Sequence, residues 1–171
     1  YGVNGVCTVE EMRSLEIAPG SSRDYYVLRP LNDPKTTLSV PVDSPLTSRM
    51  RPLKMPEEIK LILKSSAECV MNWIDNRIER NAKFKEIMIN GECRELYMML
   101  LCLKKRSHSL AVNGKRLSAG DNAMMTSVQR VLRDELCCSL DITLEEADRL
   151  NTVRPFGADL HQYAKRHTGP S

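Results

Sequence analysis

Asn72-Trp73-Ile74-Asp75-Asn76-Arg77-Ile78-Glu79-Arg80-Asn81-Ala82-Lys83-Phe84 holds the only tryptophan of the chain and sets it among arginines. At 3.6 residues per helical turn, Trp73, Arg77, Arg80 and Phe84 recur at i, i+4, i+7 and i+11 and share one strip of a helix. Val70, Ile74, Ile78 and Met88 make the neighbouring, purely apolar strip. A helix seated on that second strip carries Trp73 and two guanidinium groups at the edge of its buried face. A large flat side chain placed there can work outside the core. An indole close to a phenyl ring is more often plain core packing, and both readings stand at this point.

On the C-terminal side, Asn90-Gly91 suits a helix end, because glycine adopts the left-handed conformation that follows one. A further helix carries Cys93, Leu96, Leu100 and Leu103 on a 3-4-3 stripe with Met99 beside it. Its last turn is expected to hold Lys104, Lys105 and Arg106, where the helix dipole alone accounts for them. With Lys115 and Arg116 these form the densest basic cluster, and no acid falls between 104 and 116. Ser118 with Asp121 reads as an N-cap and its capping box, opening a helix to about Ser139 that buries Met125, Val128, Leu132 and Leu136. Thr143-Leu144-Glu145-Glu146 repeats the pattern for a short helix ending near Thr152. After about residue 155 the chain is expected to be weakly ordered. The five methionines from Met88 to Met125 read as soft packing.

On the N-terminal side, Met55-Pro56-Glu57-Glu58 opens a helix to Leu63 or Lys64, with Ser65-Ser66 interrupting before the tryptophan helix. Residues 1 to 54 read instead as strands. Gly5-Val6-Cys7-Thr8-Val9, Asp24-Tyr25-Tyr26-Val27-Leu28 and Thr36-Thr37-Leu38-Ser39-Val40-Pro41-Val42 are β-formers, and Arg49-Met50-Arg51-Pro52 is a candidate fourth. Ala18-Pro19-Gly20-Ser21-Ser22 and Asn32-Asp33-Pro34 supply the turns. The expected fold is α+β, all-β and then all-α: a small, strongly bent sheet or barrel over 1–54, and a compact domain of about five helices over 55–171. Some fifty residues make a thin core that leans on its neighbour. A chain opening on Tyr1 is expected to lack preceding residues, and a missing first strand leaves an edge that pairs two copies as readily as it pairs with a partner.

Net charge is +3, divided +1 over residues 1–54 and +2 over the rest, so any nucleic-acid contact comes from local clusters. Six cysteines without paired spacing read as reduced cytosolic thiols, placing the chain in the cytoplasm. No CxxC is present, and His108, His161 and His167 lack metal-ligand spacing, so no metal or other cofactor is expected. No signal peptide or membrane span is legible. A thiol enzyme built on Cys93 or Cys102 with His108 lacks an activating partner, and no catalytic residue is assigned.

Tyr1-Gly2-Val3-Asn4-Gly5-Val6 resembles the Y-P-x-x-G-[VA] turn near the start of CarD/CdnL-family proteins. Tyr25-Tyr26-Val27-Leu28 and Leu38-Ser39-Val40-Pro41-Val42 resemble the strands that follow it. Asn72-Trp73 resembles the N-W pair of the family's helical domain, and Leu117-Ser118-Ala119-Gly120 its L-S-x-G/A-[ED] segment. Five short motifs in order reach to about residue 152. The resemblance implies a bacterial transcription factor without enzymatic activity or small-molecule substrate. Its Tudor-like N-terminal domain, shared with the transcription-repair coupling factor, docks on the RNA polymerase β subunit, in part by adding its sheet edge to a strand of the partner. Its helical domain lies on promoter DNA at the upstream edge of the melted region, where the tryptophan wedges into the minor groove and favours the open complex, notably at ribosomal RNA promoters. Carried onto this chain, the DNA-side residues are Asn72, Trp73, Arg77, Arg80, Lys104, Lys105, Arg106, Lys115 and Arg116, contacting DNA without reading sequence. The polymerase-side residues are Leu15, Thr37, Leu38, Ser39 and Val40. Leu15 and Ser39 stand where family members often carry arginines, Asn122 stands where some carry a lysine, and the interval from Trp73 to Gly91 is about one helical turn longer. In the competing reading the helices only brace the polymerase-binding domain and contact no DNA.

Overall fold

The computed structural model describes residues 1–66 and 71–151. Cys69, Val70 and residues 152–171, which include the tail expected to be weakly ordered after about residue 155, lie outside them. The chain runs as three strands and then five helices, as the α+β reading expects: β1 (Cys7–Ala18), β2 (Ser21–Pro30), β3 (Leu38–Pro41), α1 (Pro56–Ser66), α2 (Arg77–Asn90), α3 (Cys93–Val112), α4 (Ala119–Leu140) and α5 (Leu144–Asn151).

Pro19 and Gly20 turn β1 into β2, Gly20 at φ +76° in the region an L-side chain resists. β3 pairs with β2 over Tyr25–Leu28, giving an antiparallel sheet in the order β1-β2-β3. The expected barrel is corrected: among the described residues the sheet is open, with β1 and β3 as edges. Its fourth candidate strand is not one. Ser44 accepts from the Leu46 amide and caps a 3-10 turn at Pro45–Arg49, and the following Pro52 has no amide to give to a ladder. Only the base of the sheet is buried, at Val27, Leu28, Pro30 and Val40, whereas residues 8–18 of β1 are exposed.

The base leans on the helices. Arg51 donates to Glu135 at 2.7 and 2.8 Å and to the Gly91 carbonyl at 2.6 and 2.9 Å. Gly2 packs so closely on α2 that a Cβ there would lie 3.0 Å from the Ile89 carbonyl oxygen.

Within the helical part α3 is central. Its Leu96, Tyr97, Met99, Leu100 and Leu103 pack in one cluster with Ile59 and Leu63 of α1, Phe84, Ile87 and Met88 of α2, Val128, Val131, Leu132 and Leu136 of α4, and Ala147 and Leu150 of α5. Tyr97 donates its hydroxyl to the Leu150 carbonyl at 2.7 Å, satisfying the one polar atom it carries inward. The helix ends follow their sequence signals: Gly91 at φ +67° after α2, Ser118 capping α4, and Thr143 and Glu146 exchanging hydrogen bonds at the start of α5. Met125 is only half-buried.

Two helical expectations are corrected. α3 does not stop near Arg106 but runs to Val112, since nothing before Asn113-Gly114 ends it. Lys104, Lys105 and Arg106 therefore sit mid-helix, where the dipole does not account for them. α2 begins at Arg77, so Trp73 and Ile74 precede it, and Ile78 is 82 % exposed instead of seated on the core.

Candidate nucleic-acid interface

Asn76 decides the local structure. Its Oδ1 accepts from the amides of Ile78 at 2.9 Å and Glu79 at 3.3 Å, satisfying donors that the first turn of a helix leaves unpaired. Residues 71–76 therefore precede the helix as an irregular segment, and Trp73 lies against Arg80 and Phe84 of α2. The strip expected on one helix face is corrected in its cause. Trp73, Arg80 and Phe84 do meet, but Trp73 stands outside the helix that carries the other two.

Trp73 is half-buried. Its ring meets Phe84 edge-on, with centroids 6.5 Å apart and planes at 68°. The Arg80 guanidinium carbon lies 4.4 Å from the ring centroid and that of Arg106 lies 5.1 Å away. Two cations over an electron-rich indole are attracted to it, and contact with the ring desolvates them in part.

The two differ in what else they do. Arg80 is 5 % exposed. It gives Nε and Nη2 to the Asp121 carboxylate at 2.9 and 3.0 Å, and Nη1 to the carbonyls of Ile74 at 2.7 Å and Asp75 at 3.1 Å. As a phosphate ligand Arg80 is therefore corrected: its fork is inside the protein and committed. Burial alone pushes the Asp121 carboxyl up, but hydrogen bonds from Arg80 and Ser118, with the charges of Arg80 and Arg77, outweigh it and hold the carboxyl below its ordinary value. Arg106 is half-buried, and its Nε is buried without a hydrogen-bond partner among the described residues.

A cleft of about 230 Å³ opens beside the indole, lined by Met71, Asn72, Trp73, Cys102, Lys105 and Arg106 among others. Asn72 and Lys105 are exposed at it. Arg77 is exposed on the first turn of α2, and Lys115 and Arg116 are exposed where α3 hands over to α4. Lys104 is half-buried and donates to the Asn151 carbonyl, tying α3 to α5. Desolvation draws its pKa below the ordinary lysine value. Sequence reasoning did not single out Asp121 as a partner of this site, and its pairing across 41 residues leaves no local signal.

On the sheet, Leu15 and Ser39 are exposed, and they register opposite Arg23 and Val27 of β2. Those β2 positions are four apart, so Leu15 and Ser39 share a face although they stand on opposite edges. Thr37 is exposed just before β3. Leu38 and Val40 register on the other face, and Val40 is 2 % exposed, so its side chain belongs to the core and only its backbone on the edge strand is left for a partner. Among the described residues, no helix is long and apolar enough to cross a membrane and no His/Cys/Asp/Glu group is placed to hold a metal. Cys93 is buried, and desolvation pushes its thiol far above the ordinary value, away from the thiolate that a nucleophile needs.

Residues 1–54 match the family model of the CarD-like/TRCF RID domain. The match supports transcription as the setting and RNA polymerase as a partner. No curated protein matches the chain.

Proposed function

With a CarD-like RNA polymerase-interacting domain at its N-terminus as the premise, we propose that the chain is a non-enzymatic transcription regulator. It docks on the polymerase β subunit through its sheet and stabilises the open promoter complex, including at ribosomal RNA promoters, by setting Trp73 into the minor groove at the upstream edge of the bubble. The observation that carries this reading is the seat of Trp73: an indole left half-exposed at a cleft, with two guanidinium groups over its ring.

Wedging a flat apolar group at a base step costs a few kcal/mol of stacking, and least where the duplex is already ending. The wedge therefore binds melted DNA better than closed duplex, and differential affinity is what moves an equilibrium. Arg77, Lys105, Lys115 and Arg116 are the exposed cations for the backbone, with Arg106 beside the ring. Such contacts position without reading sequence. A net charge of +3 makes affinity for free DNA weak, and tethering through the sheet raises the local concentration of DNA.

The test is the lifetime of the open complex on a ribosomal promoter with the cognate polymerase, comparing no factor, wild type and Trp73→Ala. A longer lifetime with wild type alone is expected. The brace reading is favoured by one observation, the packing of Trp73 on the helical core through Phe84. Equal lifetimes with both proteins, each longer than without factor, would select it over the wedge.

A further inference from the structure

We infer that Arg80 and Asp121 are a positioning pair for Trp73, so that a carboxylate on α4 sets the pose of the indole without reaching DNA; the functional half of this inference rests on the wedge reading above. The segment carrying Trp73 has no regular secondary structure, and its backbone must be held by other groups. Arg80 holds it at two carbonyls, Ile74 and Asp75, while its guanidinium carbon lies 4.4 Å from the centroid of the ring two residues upstream of Asp75. One planar fork thus grips the segment, the indole and Asp121 together. A lysine, as a point charge on a flexible stem, cannot reproduce that set of contacts.

Asp121 fixes the fork from the other side. It is 3 % exposed and stands in the first turn of α4, where the helix dipole favours a carboxylate. Both of its oxygens accept from Arg80, and Ser118 Oγ shares Oδ2 at 2.6 Å. α4 is in turn packed on α3 through Val128, Val131, Leu132 and Leu136. The pose of Trp73 is therefore referred, through two side chains, to the packed helical core. Without the carboxylate, Arg80 has the same two carbonyls and ring to hold but nothing to hold against, and it would seek water through the cleft.

Because Trp73 is the only tryptophan, its fluorescence reports this seat directly in the full chain. Asp121→Asn and Arg80→Lys are expected to raise the acrylamide quenching constant of Trp73 by about twofold or more, as local opening at a loosely supported segment does. Val128→Ala, which lowers the thermal midpoint through packing of the same helix, is expected to leave it unchanged. No change in Asp121→Asn, or an equal rise in Val128→Ala, overturns the pair's role. In the open-complex assay, Asp121→Asn is expected to shorten the lifetime toward that of Trp73→Ala with polymerase binding intact. A wild-type lifetime for Asp121→Asn, when Trp73→Ala shortens it, overturns the inference. If Trp73→Ala itself has no effect, the wedge reading fails and quenching alone decides the pair. Should Asp121→Asn not fold, Arg80→Lys, which keeps the charge, carries the same test.

Discussion

The molecule holds two arginine forks that look alike on paper. Arg80 grips Asp121 and two carbonyls under Trp73, and Arg51 grips Glu135 and the Gly91 carbonyl where the sheet meets the helices. They differ in access to water. In the first pair both side chains are nearly sealed, at 6 % and 4 % exposed, whereas the Arg51 side chain keeps 19 % of its surface open. A sealed pair has no substitute for a lost partner, while an open one can exchange it for solvent. The sealed fork is thus suited to hold one side chain in one pose, and the open fork to join two layers that can tolerate play.

The largest expected effect breaks the sealed pair. Asp121→Ala strands a buried guanidinium and is expected to cost about 3–5 kcal/mol by urea unfolding. The same pair has an acid signature. The Asp121 carboxyl is held below its ordinary value in the fold, so below about pH 4 the unfolded chain binds the extra proton and the pair's contribution is lost as pH falls. It is fully present above that range, and an Asp121→Asn variant should lack this part of the acid slope. Next, Arg51→Ala is expected to cost about 1–3 kcal/mol, because Glu135 is left buried but near the opened water path, and Trp73 quenching should not move. Smallest is Arg77→Ala. Its side chain is exposed, so stability should be unchanged, while the salt dependence of DNA binding by the polymerase complex should fall by about one unit of slope.

How much of this the residues disclosed depends on the range of the signal. Gly91, Ser118 and Thr143 act through neighbours three or four residues away, and their helix ends were legible. Asn76, with Glu79 three residues on, carries a capping signal that was passed over, because the periodicity of Trp73, Arg77, Arg80 and Phe84 fits a continuous helix just as well. The same competition hid the length of α3, where a basic triplet looked like a terminus although the first real stop is Asn113-Gly114. Asp121 was read as a cap and nothing more, since nothing in a local window points 41 residues back to Arg80. The open sheet escaped for a related reason: the β-forming run at Arg49–Pro52 competes with a serine cap and two prolines, and the short-range chemistry won.

The joint between Arg51 and Glu135 spans 84 residues, which matters during synthesis. A chain is made N-terminus first at about 5–20 residues per second, so for roughly 4 to 17 s the newborn sheet has its own thin core without the Glu135 carboxylate that completes its joint to the helices. With Met12, Leu15 and Ile17 exposed along β1, that interval is when this protein is most prone to meet the wrong strand, and the pace of translation through residues 52–135 sets how long it lasts.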